Sequence, residues 1–286
     1  MSKAGSLPAA GLSPAGAPFL GELLARKRTL VMGILNVTPD SFSDGGRFFD
    51  PQKAIAHAQD MVAKGADIID IGAESTRPYG GAAAVSADDE IARLADVLPG
   101  VVALGCPVSI DSMKARVAQW ALDAGATILN DVWGLQRDPD MAPLAARSRA
   151  PIIVMHNRDK ADPAIDIMAD IESFFTRSLG IADGAGVRRE QVVLDPGIGF
   201  GKTPEQSIEA LAKFRTLKKF GLPLMIGASR KRFISTIVAS EPDERLGGSI
   251  ASHLLAVIDG ADIVRTHDVP ETMQALRVAA AIRSAR

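Results

Sequence analysis

Eight times along the chain a short β-branched, apolar run ends in a polar or charged residue, and a stretch with helical spacing follows it. The runs occupy 29–37, 66–73, 107–112, 126–131, 151–156, 192–197, 223–229 and 262–268. At or just beyond their ends stand Asn36, Glu74, Asp111, Asn130, His156, Asp195, Lys231 and His267. Apolar runs of this length suit strands buried on both faces, and such strands run parallel, each joined to the next by a crossover helix. Eight such units in roughly 250 residues predict an α/β architecture, a single (β/α)8 TIM barrel. The C-terminal strand ends of that barrel form its catalytic rim, so the polar residues should converge on one face.

The intervening helices are well punctuated. Asp50-Pro51 sets an N-cap before a first-turn proline, ahead of Ile55, Ala58, Met61 and Val62 on one face. Ser86 with Asp89, and Thr203 with Gln206, have capping-box spacing. Asp268 and Pro270 open the last helix, whose Met273, Leu276, Val278 and Ala281 are expected to pack on the barrel. A short helix or edge strand over 19–27 would cover the end of the barrel opposite the rim.

The 286 residues suffice for one barrel and an extension, with no room for a second full domain. Residues 1–18, rich in Ala, Gly, Pro and Ser and without periodicity, read as a flexible N-terminal arm, which leaves 19–286 as the barrel. Net charge is −2, from 32 Lys and Arg against 34 Asp and Glu. No bulk field therefore draws nucleic acid or an anionic membrane, and small-molecule partners are expected. Cys106 is the one cysteine, which excludes an internal disulfide framework and makes a reducing cytoplasm the expected setting. It precedes Pro107 at a strand entrance and reads as a small buried hydrophobe. No run of about 18 apolar residues is present to span a membrane.

The stretches after the first two runs are long and polar for barrel loops, and such loops usually carry function. The run 194–203 resembles a nucleotide P-loop until the spacing is checked: Pro196 stands where the first glycine is required. Asp195 is its informative member. A carboxylate at a strand end accepts two parallel hydrogen bonds from an amidine-like N–H/NH2 edge, such as that of a guanine or a pterin.

Seven motifs now stand in order: 33–46 with Asn36, Thr38-Pro39-Asp40 and Asp44-Gly45-Gly46; Glu74-Ser75-Thr76-Arg77-Pro78; Ile110-Asp111-Ser112; Asn130-Asp131; Asp195-Pro196-Gly197-Ile198-Gly199-Phe200-Gly201-Lys202; Ser229-Arg230-Lys231; and Arg265-Thr266-His267. This combination resembles the dihydropteroate synthases. The resemblance implies a barrel that joins 6-hydroxymethyl-7,8-dihydropterin diphosphate to 4-aminobenzoate with Mg2+, releasing pyrophosphate, and works as a homodimer. It implies that Asp111, Asn130, Asp195 and Lys231 hold the pterin. Asn36, Thr76, Arg77, Arg265 and His267 would hold the diphosphate, with Asn36 also at the metal. Thr76, Arg77, Pro78, Phe200, Gly201, Lys231 and Arg232 would line the aminobenzoate site. The chain departs from the family's usual pattern at Asn157-Arg158-Asp159, at Ala73 before Glu74, at Tyr79-Gly80-Gly81 and at Arg232.

The implied chemistry accounts for the residue types. Loss of diphosphate leaves positive charge delocalised into the dihydropterin, so carboxylates belong at the ring and cations at the leaving group. Asp111 and Asp195 meet the first need; Arg77, Arg265, His267 and Mg2+ meet the second, with Asp111, Asp195, Lys231, Arg265 and His267 as the expected catalytic set. Asp70 lies within the second run and reads as structural, facing an interior cation, while His57 and His253 read as helix residues without a catalytic part. A pterin-dependent methyltransferase would share the pterin acids but would not need two diphosphate-clamping loops, and a non-catalytic paralogue would keep Asp195 and bind pterin without turnover.

Overall fold

The computed structural model of the chain describes residues 20–38, 50–74 and 85–285. The proposed arm over 1–18 lies outside them, as do Thr76, Arg77 and Pro78. Among the described residues, eight parallel strands form one sheet: β1 (Leu30–Asn36), β2 (Ile68–Gly72), β3 (Val108–Asp111), β4 (Ile128–Asp131), β5 (Ile152–Met155), β6 (Val192–Asp195), β7 (Met225–Ile226) and β8 (Ile263–Thr266). Pairing runs from β6 back through β1 to β8 and β7. A bridge between Leu194 and Leu224 closes β7 onto β6, completing the expected (β/α)8 barrel. Every strand falls inside one of the eight predicted runs.

Strand β7 is much shorter than its run, and side chains explain why. Beyond Ile226 the Ala228 amide donates to His253 Nε2 (3.3 Å) and the Arg230 amide to Ser249 Oγ (2.9 Å), both on the helix Leu246–Ile258. Those donors are then unavailable to a neighbouring strand, so the ladder stops. His253 is thus structural, as expected.

The period-two alternation of a strand sorts the barrel into two shells. Ile69, Ile71, Ile110, Leu129, Ile152, Leu194 and Val264 point outward into the layer beneath the helices. Leu30, Met32, Ile68, Ile128, Ile153, Val193, Met225 and Ile263 point inward and form an apolar plug, sealed by Leu20 and Leu23 of the helix Leu20–Leu24. That helix covers the end opposite the rim, where Asp67 accepts from Arg28 Nη1 (2.8 Å) and from the Val31 amide (3.0 Å). Two residues above the plug on five strands stand Asp70, Asn130, Asp195, Gly227 and Arg265. The step that ends the hydrophobic plug therefore begins a polar floor.

The helix caps follow the sequence. Asp50 Oδ1 accepts from the Gln52 amide (3.0 Å), Ser86 Oγ from Asp89 (3.1 Å), and Thr203 with Gln206 forms a reciprocal capping box. The last helix, Val269–Ser284, departs from expectation. Met273 is buried and Leu276 partly so, but Val278 is 54% exposed and Ala281 is exposed too. The buried positions of this helix lie in its first turns, and its later apolar positions Val278 and Ile282 face outward.

Candidate active site

Five strands deliver charged or amide side chains to the barrel axis. Arg265 on β8 is the centre: its Nε lies 2.6 Å from Asp70 Oδ2 on β2 and its Nη2 lies 2.7 Å from Asp111 Oδ2 on β3. Asn130 on β4 donates from Nδ2 to the same Asp70 oxygen at 3.0 Å. Asp195 on β6 completes the floor, its Oδ1 taking the Gly197 amide at 2.8 Å. The interior cation expected opposite Asp70 is thus Arg265, and the two carboxylates it joins lie 195 and 154 residues away in sequence.

This floor retains unused hydrogen-bonding capacity. Asp70 Oδ1, Asp111 Oδ1 and Asn130 Oδ1 are buried acceptors with no hydrogen-bond partner among the described residues. Burial of this kind normally demands a partner. Across the axis, Gly227 leaves room: a Cβ there would lie 3.9 Å from both Asp195 Oδ2 and Arg265 Cβ, filling the space beside them. The pattern suits a flat, donor-rich heterocycle. Burial raises the Asp195 carboxyl, against the pull of the Gly197 amide, Lys231 and Arg265. It also raises Asp111 to about 7, against the attraction of Arg265. Donors from a ligand would lower both groups again and so bind with added strength.

The β6 loop forms one wall. Gly197 has φ +63°, and a Cβ there would fall 2.0 Å from the His156 carbonyl oxygen. Gly201 has φ +53° and would meet Arg158 Cβ at 2.4 Å. Both positions therefore require glycine. The loop carries Phe200, 8% exposed, whose ring lies 4.0 Å from Lys231 Nζ, a cation–π contact between two predicted aminobenzoate residues. Lys231 precedes the short helix Arg232–Ile237; Arg232 itself is exposed at its start.

The ends of β7 and β8 form the adjoining wall. His267 Nδ1 lies 2.9 Å from Ser229 Oγ, and the His267 amide donates to the same oxygen at 3.2 Å. Burial, then Arg265 and Arg230, push the His267 imidazole down to about 3. The ligand-free site therefore favours the neutral imidazole, and a bound phosphate would push the group back toward the charged form anticipated from sequence. Arg230, at φ +57°, is held in that left-handed turn by Asp268 and by Arg245 Nη1, which donates to its carbonyl at 3.1 Å.

Of the remaining predicted residues, the described part of the chain holds Asn36. Asn36 ends β1, half-buried. Glu74 ends the described part of the second loop and spans its base: Oε1 accepts the Val85 amide at 3.2 Å, and Oε2 pairs with Lys114 at 2.6 Å. Lys114 in turn holds the fully buried Glu90 at 2.8 Å. Sequence reasoning passed over Asp70 as a site residue, although its inward parity above Ile68 was a usable signal. It also passed over Ser229 as a ligand-side partner and the pair Lys202 and His156.

Among the described residues no three His, Cys, Asp or Glu side chains cluster in a way that could hold a metal ion. The available donor is the Asn36 amide oxygen, a hard ligand of the type Mg2+ accepts while keeping several waters.

A family profile described as pterin binding enzyme matches residues 32–267, from the first strand to the eighth. The chain is 44% identical to the dihydropteroate synthase of Clostridium beijerinckii over 88% of its length and 93% of the relative's. It is similar to the solved structure of dihydropteroate synthase from Clostridium difficile in the presence of pteroic acid, at 49% identity and TM-score 0.85, covering 90% of this chain and 97% of that one. The Xanthomonas albilineans dihydropteroate synthase solved with 4-aminobenzoic acid gives 40% identity and TM-score 0.86, covering 90% and 94%.

The central ion cluster predicts a pH signature for Arg265→Met. Removing one member of a buried pair typically costs about 3–5 kcal/mol. Without the guanidinium the Asp111 carboxyl rises further, so the folded state holds a proton that the unfolded chain has released. A raised carboxyl stabilises less as pH climbs from the unfolded value near 3.9 through the folded one. Urea unfolding should therefore show a deficit that is large at pH 8 and smaller at pH 5. An equal deficit at both would mean that Asp111 does not depend on Arg265.

Proposed function

We infer the reaction from relationship and geometry together: the chain belongs to the dihydropteroate synthase family of pterin-binding enzymes and is a transferase that joins 6-hydroxymethyl-7,8-dihydropterin diphosphate to 4-aminobenzoate, giving 7,8-dihydropteroate and pyrophosphate. The observation that carries the residue assignments is the polar floor above the apolar plug, where the unpartnered buried acceptors of Asp70, Asp111 and Asn130 face the buried carboxylate of Asp195. We propose that Asp195 takes the amidine edge of the pterin, with Asn130 and Asp111 on its other polar atoms and Lys231 near the ring. The gap at Gly227 supports a planar ligand at this depth. A pterin seated on the plug points its exocyclic carbon upward to the rim.

Charge then follows position. As the C–O bond to diphosphate breaks, positive charge spreads into the ring beside Asp111 and Asp195, where preorganised carboxylates stabilise it without reorganisation. The leaving diphosphate meets the His267–Ser229 pair, which in its neutral form gives one donor, from His267 Nε2 or from the Ser229 hydroxyl according to the tautomer, together with Asn36, Thr76 and Arg77. Arg265 lies between the two charge systems: it holds Asp70 and Asp111 on its inner side and is assigned to the diphosphate on its outer side. Mg2+, bound through Asn36 and the diphosphate oxygens, would neutralise charge developing on the leaving group. The arylamine is neutral at pH 7 and needs no activation as a nucleophile. Its ring would rest against Phe200, with Pro78, Gly201, Lys231 and Arg232 completing the pocket.

The assignment is tested by pyrophosphate release from the pterin diphosphate with and without 4-aminobenzoate, alongside Asp195→Asn. Release should depend on the arylamine. The variant presents an N–H where the pterin also donates, a buried mismatch costing about 1–3 kcal/mol, or roughly a ten- to hundredfold loss of pterin affinity by calorimetry. Unchanged affinity would remove Asp195 from the pterin site.

We further propose a homodimer in the cytoplasm. The exposed Leu255, Ile258, Val278 and Ile282 lie on two packed helices, and the apolar face they form supports self-association. No helix among the described residues is long and apolar enough to cross a membrane. Sedimentation velocity should give a dimer mass for the natural chain and a monomer mass for the double variant Leu255→Glu, Val278→Glu; a monomer in both would contradict the proposal.

A further inference from the structure

Lys202 closes the loop that begins at Asp195, and the reaction above makes no use of it. Its side chain is 1% exposed, among the deepest cations in the molecule. The ammonium donates to the carbonyl oxygens of Gly197 (2.8 Å) and Phe200 (3.1 Å) and meets His156 Nδ1 at 2.6 Å. His156 extends the chain of contacts: its Nε2 lies 3.0 Å from Asp170 Oδ2, which also pairs with Arg158 at 3.0 Å. An ammonium facing Nδ1 makes that nitrogen an acceptor, so Nε2 carries the proton and donates to Asp170. Burial, then Lys202, push the His156 imidazole down to about 4, in keeping with this neutral tautomer.

We infer that Lys202 is a positioning residue for the arylamine substrate: from inside the turn it fixes the Gly197 and Phe200 carbonyls so that the Phe200 ring stays against Lys231, and His156 with Asp170 fixes Lys202. The inference rests on the reading of Phe200 as part of the aminobenzoate site. The Phe200 carbonyl and His156 Nδ1 take this buried donor group, the Gly197 carbonyl accepts from it and also from the Phe200 amide (3.0 Å), and the loop packs on Arg158 without slack at Gly201. Without Lys202 the Phe200 carbonyl and His156 Nδ1 would lose this donor in a dry interior, and the turn would have to open toward water to satisfy them. Opening displaces Phe200 from Lys231. Asp111 and Asn130 sit on strands away from the turn, and of the pterin acids only Asp195 touches it, through the Gly197 amide at 2.8 Å, so the aminobenzoate site should feel the change more than the pterin site.

The test is steady-state kinetics in both substrates for Lys202→Met. The KM for 4-aminobenzoate should rise about tenfold or more, while the KM for the pterin diphosphate and kcat at saturation stay within about threefold. A purely structural role would reduce the active fraction, lowering kcat and leaving both KM values in place; that outcome overturns the inference. Asp170→Ala, at a partly exposed side chain, should move the aminobenzoate KM in the same direction by a smaller factor with little change in Tm. If Lys202→Met does not fold, an unmoved aminobenzoate KM in Asp170→Ala overturns the inference instead. Phe200→Leu separates the two levels of argument. If it leaves the aminobenzoate KM unchanged, the reading of Phe200 fails; if it raises KM and Lys202→Met does not, only the role of Lys202 fails.

Discussion

One guanidinium holds the centre of this barrel. Arg265 reaches from β8 to Asp70 on β2 and Asp111 on β3, tying together strands that the chain visits almost two hundred residues apart. Burying charges is costly unless they are paired and hydrogen-bonded, and here each contact is short and directional. Asp70 is further occupied by Asn130, so β2, β3, β4 and β8 share one network. The apolar plug beneath it excludes water, and the network above it is what a ligand would meet. The site is thus strongly polar and firmly fixed, which is what electrostatic stabilisation of a charged transition state requires.

The network exists because of strand parity. On β2, β4, β6 and β8 an inward Ile or Val is followed two positions later by Asp70, Asn130, Asp195 or Arg265. A shift of one residue in any of these strands would bury the apolar residue under a helix and aim the polar one into the outer layer. The plug and the site therefore enforce each other's register. The loops add what strands cannot: glycines in left-handed conformation at 197 and 201 let the β6 turn fold back on β5, where Lys202 and His156 meet.

Much of this was readable in the amino-acid sequence, and for stated reasons. Runs of apolar residues ending in Asp111, Asn130, Asp195 and Arg265 mark strand ends, and a parallel barrel brings such ends to one rim whatever their spacing in the chain. Capped helix starts at Asp50, Ser86 and Thr203 are local signals and were reliable. Long-range pairings were harder. Asp70 reads as structural until Arg265 is seen to hold it in the same network as Asp111, and no spacing rule links residues 195 apart. Lys202 reads only as the end of a glycine-rich turn; its burial depends on how that turn closes over it. His267 reads as a cation, and only its enclosure by β7, β8 and two arginines makes it neutral. The outward face of the last helix was misjudged because its apolar spacing fits either a barrel contact or a surface, and the two look alike in sequence.

The account stands on the claim that the polar floor seats the pterin. A crystal structure of the protein with a pterin-bearing ligand tests this most directly. The ring's amidine edge should lie about 3 Å from Asp195 carboxylate oxygens, with Asn130 and Asp111 on its remaining polar atoms and the Arg265 pairs to Asp70 and Asp111 intact. A ligand bound at the rim without reaching Asp195, or in the outer cleft between Trp133, Arg137 and Arg158, would contradict it.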